Sequence, residues 1–115
     1  SDIPHFRRFI REIGWQIVEE ELIREDGKFY PMMKAVRNSS GEKTVYTEEE
    51  AWFGPLLLEK RHPVLKEYLL REEMIRKKIL AGLSGAESVS AKTRLAEVKE
   101  EMELIHTALK RYESI

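Results

Sequence analysis

The segment Ala91-Lys92-Thr93-Arg94-Leu95-Ala96-Glu97-Val98-Lys99-Glu100-Glu101-Met102-Glu103-Leu104-Ile105-His106-Thr107-Ala108-Leu109-Lys110-Arg111-Tyr112 sets apolar side chains at 91, 95, 98, 102, 105, 109 and 112, in steps of 4, 3, 4, 3, 4 and 3. That alternation is the heptad seam of a coiled coil, a helix that buries one narrow stripe against a partner. The partner lies just upstream. From Pro63 onward, Leu65, Tyr68, Leu69, Ile75, Ile79, Leu80 and Leu83 form a second apolar stripe, interrupted by Glu72 and ended by Ser84-Gly85. Two helices of roughly 20 residues, each ~30 Å long, joined by a short Ser/Gly loop, are expected to fold back antiparallel.

The residues before position 63 have a different texture. Asp2 suits an N-cap and Pro4 a first helical turn, while Ile3, Phe6, Phe9, Ile10 and Ile13 recur at helical spacing, so a first helix should run to Gly14. A helix cap after a single residue suggests that something preceded it in the natural protein. Trp15 to Ile23 is strand-like, Glu25-Asp26-Gly27-Lys28 is a tight turn, and Phe29 to Val36 is the returning strand. Pro31 cannot donate a ladder hydrogen bond and belongs at an edge, at a bulge or in the first turn of pairing. An isolated hairpin is marginal in water, so this one should add to a larger sheet or pack on helices. After the polar turn Asn38-Ser39-Ser40-Gly41, Thr44 to Tyr46 could form a short strand, and Thr47 followed by Glu50 has capping-box spacing for a short helix ending at Gly54-Pro55. The expected class is α+β: an amphipathic helix and β-hairpin, then a long antiparallel helical coiled-coil hairpin. The divisions fall at 1–46, 47–62 and 63–115.

Composition narrows the function classes. Of the 115 residues, 36% are charged, and Lys plus Arg total 20 against 21 for Asp plus Glu, so any nucleic-acid role must come from a local patch. The absence of cysteine excludes thiol chemistry and disulfides and fits a cytoplasmic location. No apolar run approaches the ~20 residues of a membrane span, so no membrane partner is expected. His5, His62 and His106 lack metal-ligand spacing, and the glycines form no phosphate loop. Ser84, Ser88 and Ser90 are explained by capping, and the runs Glu19 to Glu21 and Glu48 to Glu50 by solvated faces or helix starts. No catalytic, cofactor or metal residue can be assembled. One patch stands out: Arg76, Lys77, Lys78, Lys92 and Arg94 against Glu87 give +4 between positions 76 and 94 and leave −5 elsewhere. Gathered at the hairpin tip, these cations could meet a phosphate backbone, although any hairpin tip must be polar.

Three motifs in fixed order carry a resemblance. Glu12-Ile13-Gly14-Trp15-Gln16-Ile17-Val18, Glu25-Asp26-Gly27-Lys28-Phe29-Tyr30, and Phe53-Gly54-Pro55-Leu56-Leu57-Leu58 with His62-Pro63 resemble the C-terminal half of the bacterial tRNA (adenine(22)-N(1))-methyltransferase family. One departure is Pro31, where the family usually has an acidic residue. The resemblance implies that the helix and β-hairpin are the tail of a doubly wound methyltransferase sheet. It further implies that S-adenosylmethionine binding and catalysis belong to a part upstream of Ser1, and that the coiled coil helps to hold tRNA, which favours the basic tip, whose residues Arg76, Lys77, Lys78, Lys92 and Arg94 are chosen from charge alone. This part alone would bind no cofactor and be inactive.

The competing expectation is a coiled-coil structural or protein-interaction module without RNA binding, and an exposed strand edge or the coiled coil would allow a homodimer. A small stand-alone enzyme is the weakest alternative.

Overall fold

The computed structural model of the chain describes residues 2–41 and 45–113. In order these form helix α1 (Ile3–Glu12), strands β1 (Trp15–Glu25) and β2 (Lys28–Arg37), and helices α2 (Glu48–Phe53), α3 (Pro55–Glu59), α4 (Pro63–Leu83) and α5 (Val89–Lys110). They fall into two compact units, residues 1–65 and 66–115.

In the first unit β1 and β2 form a two-stranded antiparallel sheet. The turn has the predicted chemistry: Asp26 and Gly27 adopt φ of 51° and 76°, the pair of positive values that a two-residue hairpin needs. Pro31 pairs with Leu22, and it is tolerated because β2 has only one strand neighbour. The ladder is irregular between Ile17 and Glu19, where Val18 is an extra residue. Ile17 before this bulge and Glu20 and Leu22 after it all face inward and are buried. With Ile10, Ala51, Phe53, Leu57, Leu58 and Leu65 they make the core of the unit. Leu57 and Leu58 are 2% and 1% exposed, and burial of each contributes about 2 kcal/mol.

Several expectations need correction. Phe6 and Phe9 on α1 and Ile13 at its C-cap are exposed, whereas Arg7 is 1% exposed. The helix therefore turns a mixed face, Arg7 with Ile10, toward the unit. Val45 and Tyr46 belong to no strand, and Thr44 lies outside the described residues. Tyr46 instead accepts a hydrogen bond at its hydroxyl from the Ile17 backbone amide, while burial pushes that hydroxyl's pKa up. The capping box forms as expected, with Thr47 Oγ1 accepting from Glu50 N at 3.1 Å and Glu50 Oε1 accepting from Thr47 N at 2.9 Å. As expected, this short helix stops at Gly54-Pro55; Gly54 takes φ 95°, and Pro55 then starts α3.

In the second unit α4 and α5 run antiparallel, since Glu73 meets His106 and Arg76, further along α4, meets Glu101, earlier on α5. Ser88 caps α5 by accepting from Ala91 N at 3.1 Å. On α5, Val98, Met102, Ile105 and Ala108 are buried and Ala91, Leu95 and Leu109 half-buried, as is Tyr112 just past its end, while on α4 Leu69 is buried.

Candidate nucleic-acid interface

The five tip cations do not form one free patch. Arg76 donates from Nη1 to Glu72 Oε1 at 2.7 Å and from Nε to Glu101 Oε1 at 3.0 Å. Burial disfavours its charge, but the two carboxylates outweigh that cost and raise its pKa above the ordinary value. Arg94 lies 3.4 Å from Glu97 and 3.8 Å from Glu101. Lys77 is 3.9 Å from Glu73 but keeps 64% of its side chain exposed. Lys78 and Lys92 are exposed. Arg76 therefore ties α4 to α5 through Glu101, Arg94 is held by carboxylates of its own helix, and the lysines are left to solvent. Sequence reasoning counted the cations correctly but missed the carboxylates opposite them, because Glu101 is distant in sequence from Arg76.

The first unit is organised around a buried ion pair. Arg7 Nη2 lies 2.9 Å from Glu20 Oε2, with side-chain exposures of 2% and 0%. Both groups find further partners: Arg7 Nη1 donates to the Ala51 carbonyl at 2.7 Å, and Leu56 N donates to Glu20 Oε1 at 2.9 Å. Lys60 Nζ reaches the Glu20 carbonyl at 2.9 Å. The node thus joins α1, β1, α2 and α3, and corrects the expectation that Glu19 to Glu21 is only a solvated face. Gly54 lies against it, since a Cβ there would fall 2.5 Å from Glu20 Oε2 and 2.9 Å from Arg7 Nη2. Glycine in Phe53-Gly54-Pro55 is required by both space and φ.

Beside the node is an open depression of 540 Å³ lined by Val18, Glu19, Glu20, Glu21, Leu56, Glu59 and Lys60. Glu21 accepts from His62 Nε2 at 2.8 Å and Lys60 Nζ at 3.3 Å, which hold its carboxyl below the usual range. Among the described residues no group of His, Cys, Asp or Glu could hold a metal ion, and no helix is long and apolar enough to cross a membrane.

Comparison with known proteins places this arrangement. Solved structures with the same fold include an uncharacterized protein from Listeria monocytogenes serotype 4b (24% identity, TM-score 0.84, covering 93% of this chain and 46% of that one). The m1A22 tRNA methyltransferase of B. subtilis is 21% identical with a TM-score of 0.77, over 92% of this chain and 47% of the other. A Streptococcus pneumoniae protein solved in complex with S-adenosyl-L-methionine is 19% identical with a TM-score of 0.76, over 95% and 44%. The chain thus spans less than half the length of these structures. No curated protein matches it. The family model for tRNA (adenine(22)-N(1))-methyltransferase matches residues 1–107, and the chain belongs to that family.

Proposed function

We propose that the chain is the C-terminal part of an S-adenosylmethionine-dependent tRNA adenine-N1 methyltransferase, in which a coiled-coil hairpin helps to hold tRNA and another part of the protein supplies cofactor binding and chemistry. The observation that carries this proposal is the family match over residues 1–107 by a chain less than half as long as its structural relatives. In this account the β-hairpin is the tail of a doubly wound sheet. Backbone groups of β1 are already taken by side chains, Ile17 N by Tyr46 and Glu20 O by Lys60. Apolar side chains remain uncovered on α1 and its C-cap (Phe6, Phe9, Ile13) and on the outer face of the sheet (Ile23, Tyr30, Met32). On α1 that stripe lies away from Arg8, which pairs with Glu48 of α2, so it favours a further layer on the side that α2 does not occupy.

The test is tRNA binding by the 115-residue chain at low and moderate salt, beside a methyl-transfer assay. The proposal expects binding that weakens as salt rises, because lysine contacts to phosphate release counterions, and no methyl transfer without the remaining part. Absence of binding at low salt would reduce the hairpin to a scaffold. Methyl transfer by the chain alone would overturn the assignment of chemistry elsewhere.

A further inference from the structure

Resting on the proposal that the helical hairpin holds tRNA, we infer that it does so along one flank, through the lysines of a single side, and not through the arginines at its tip. Residues separated by four or seven on a helix share a face. On α5, Lys92, Lys99, His106 and Lys110 are separated by 7, 7 and 4 and so lie in one line. On α4, Lys66, Glu73 and Lys77 are separated by 7 and 4 and form a second line. The His106–Glu73 hydrogen bond at 2.8 Å joins the two lines and shows that both border the same side of the seam. Lys66, Lys77, Lys92, Lys99 and Lys110 are all exposed there. Glu73 is occupied by His106 and Lys77, and the row itself contains Glu103, four residues from Lys99 and seven from Lys110, with Glu113 just past its end, so the five lysines outnumber the acids of the flank.

The other side of the seam has the opposite character. Glu72 and Arg76 on α4 face Arg94, Glu97 and Glu101 on α5, and both arginines are held by those carboxylates. A phosphate approaching there would meet three carboxylates whose neutralising cations are already engaged. The hairpin is therefore sided by charge, and the lysine flank is the one that can accept a polyanion. From Lys92 to Lys110 it extends about 27 Å at 1.5 Å per residue, enough for several consecutive phosphates. With no aromatic side chain in the row, the contact would be to the RNA backbone and not to bases.

The experiment measures tRNA binding against salt concentration for three forms of the 115-residue chain. These are the unaltered chain, the flank variant Lys92→Gln/Lys99→Gln/Lys110→Gln, and the tip variant Lys78→Gln/Arg94→Gln. The altered flank lysines are exposed, and far-ultraviolet circular dichroism checks that helix content is unchanged. The flank variant should lose affinity and reduce the slope of log K against log salt by about 2 to 3, roughly one per lost phosphate contact. The tip variant should keep most of the slope. If the tip variant loses binding and the flank variant does not, the flank assignment is overturned while the tRNA-holding role stands. Equal losses in the two variants would overturn the sidedness. If the unaltered chain fails to bind, the tRNA-holding role falls and the flank assignment falls with it.

Discussion

Replacing Arg7 by Met should unfold the first unit far more readily than any surface change, and a second substitution should reverse part of the damage. Arg7 and Glu20 are buried with side-chain exposures of 2% and 0%. Removing one member of such a pair leaves an uncompensated charge, which costs about 3–5 kcal/mol. Against a typical total stability of about 5–15 kcal/mol, that is a large fraction. In Arg7→Met/Glu20→Leu neither charge of the pair remains; what is lost is the partner of the Ala51 carbonyl and that of the Leu56 amide, each worth about 1–3 kcal/mol when left unsatisfied. Methionine and leucine offset part of this by burying apolar surface in a unit whose core includes Ile10 and Ile17. The double variant should therefore be more stable than Arg7→Met by about 1–2 kcal/mol. Urea unfolding followed by tryptophan fluorescence is the assay, because both tryptophans, Trp15 and Trp52, lie in the first unit. The reasoning is refuted if Arg7→Met costs less than about 1 kcal/mol, or if adding Glu20→Leu destabilises the chain further.

Gly54→Ala should destabilise by more than about 2 kcal/mol, combining strain at positive φ with a Cβ driven into the Glu20 carboxylate; a near-neutral urea midpoint shift would contradict this. Thr47→Ala removes one half of the capping box and should cost about 1 kcal/mol, read in the same unfolding experiment. His62→Ala should raise the Glu21 titration midpoint in an NMR pH series, since the hydrogen bond from His62 is the largest cause of its lowered pKa, ahead of Lys60. A carboxyl with a folded pKa below its unfolded value stabilises at pH above the unfolded value and loses that contribution as pH falls through the folded one. The Glu21 effect should therefore be absent at strongly acid pH and, because Glu21 is fully exposed, be damped by salt.

The elements that report themselves through short-range chemistry were legible in the sequence. Asp26-Gly27 fixed the turn, Thr47 with Glu50 the start of α2, the serines at 84, 88 and 90 a cap for α5 that Ser88 supplies, and the 4, 3 alternation a helix in which Val98, Met102 and Ile105 are buried. What was not legible depended on partners distant along the chain. Phe6 and Phe9 look like core by spacing, yet the surface they turn outward is set by Glu20 and Ala51 drawing Arg7 inward. Glu20 looked like one member of a solvated acidic run, and only its ion pair with Arg7, 13 residues away, makes its burial affordable. At the hairpin tip the charge count was visible, but which cations were engaged depended on the register of α4 against α5. Lys99 and Lys110 escaped notice because they lie one and two heptads or more from the tip, and only the step of seven from Lys92 connects them.

The bulge at Val18 has a consequence for how relatives should be compared. In a regular strand the residue sharing Ile17's face is two positions on, at Glu19; here the inward acid is three positions on, at Glu20. The chain has in effect shifted its reading frame by one residue, and the positions from Glu19 to Leu22 take the faces opposite to those that alternation from Ile17 assigns. A relative without the extra residue should carry the acid two positions after its buried aliphatic residue, opposite the same helix arginine. Alignments should place a single-residue gap at Val18 and keep the arginine and the acid in register on either side of it.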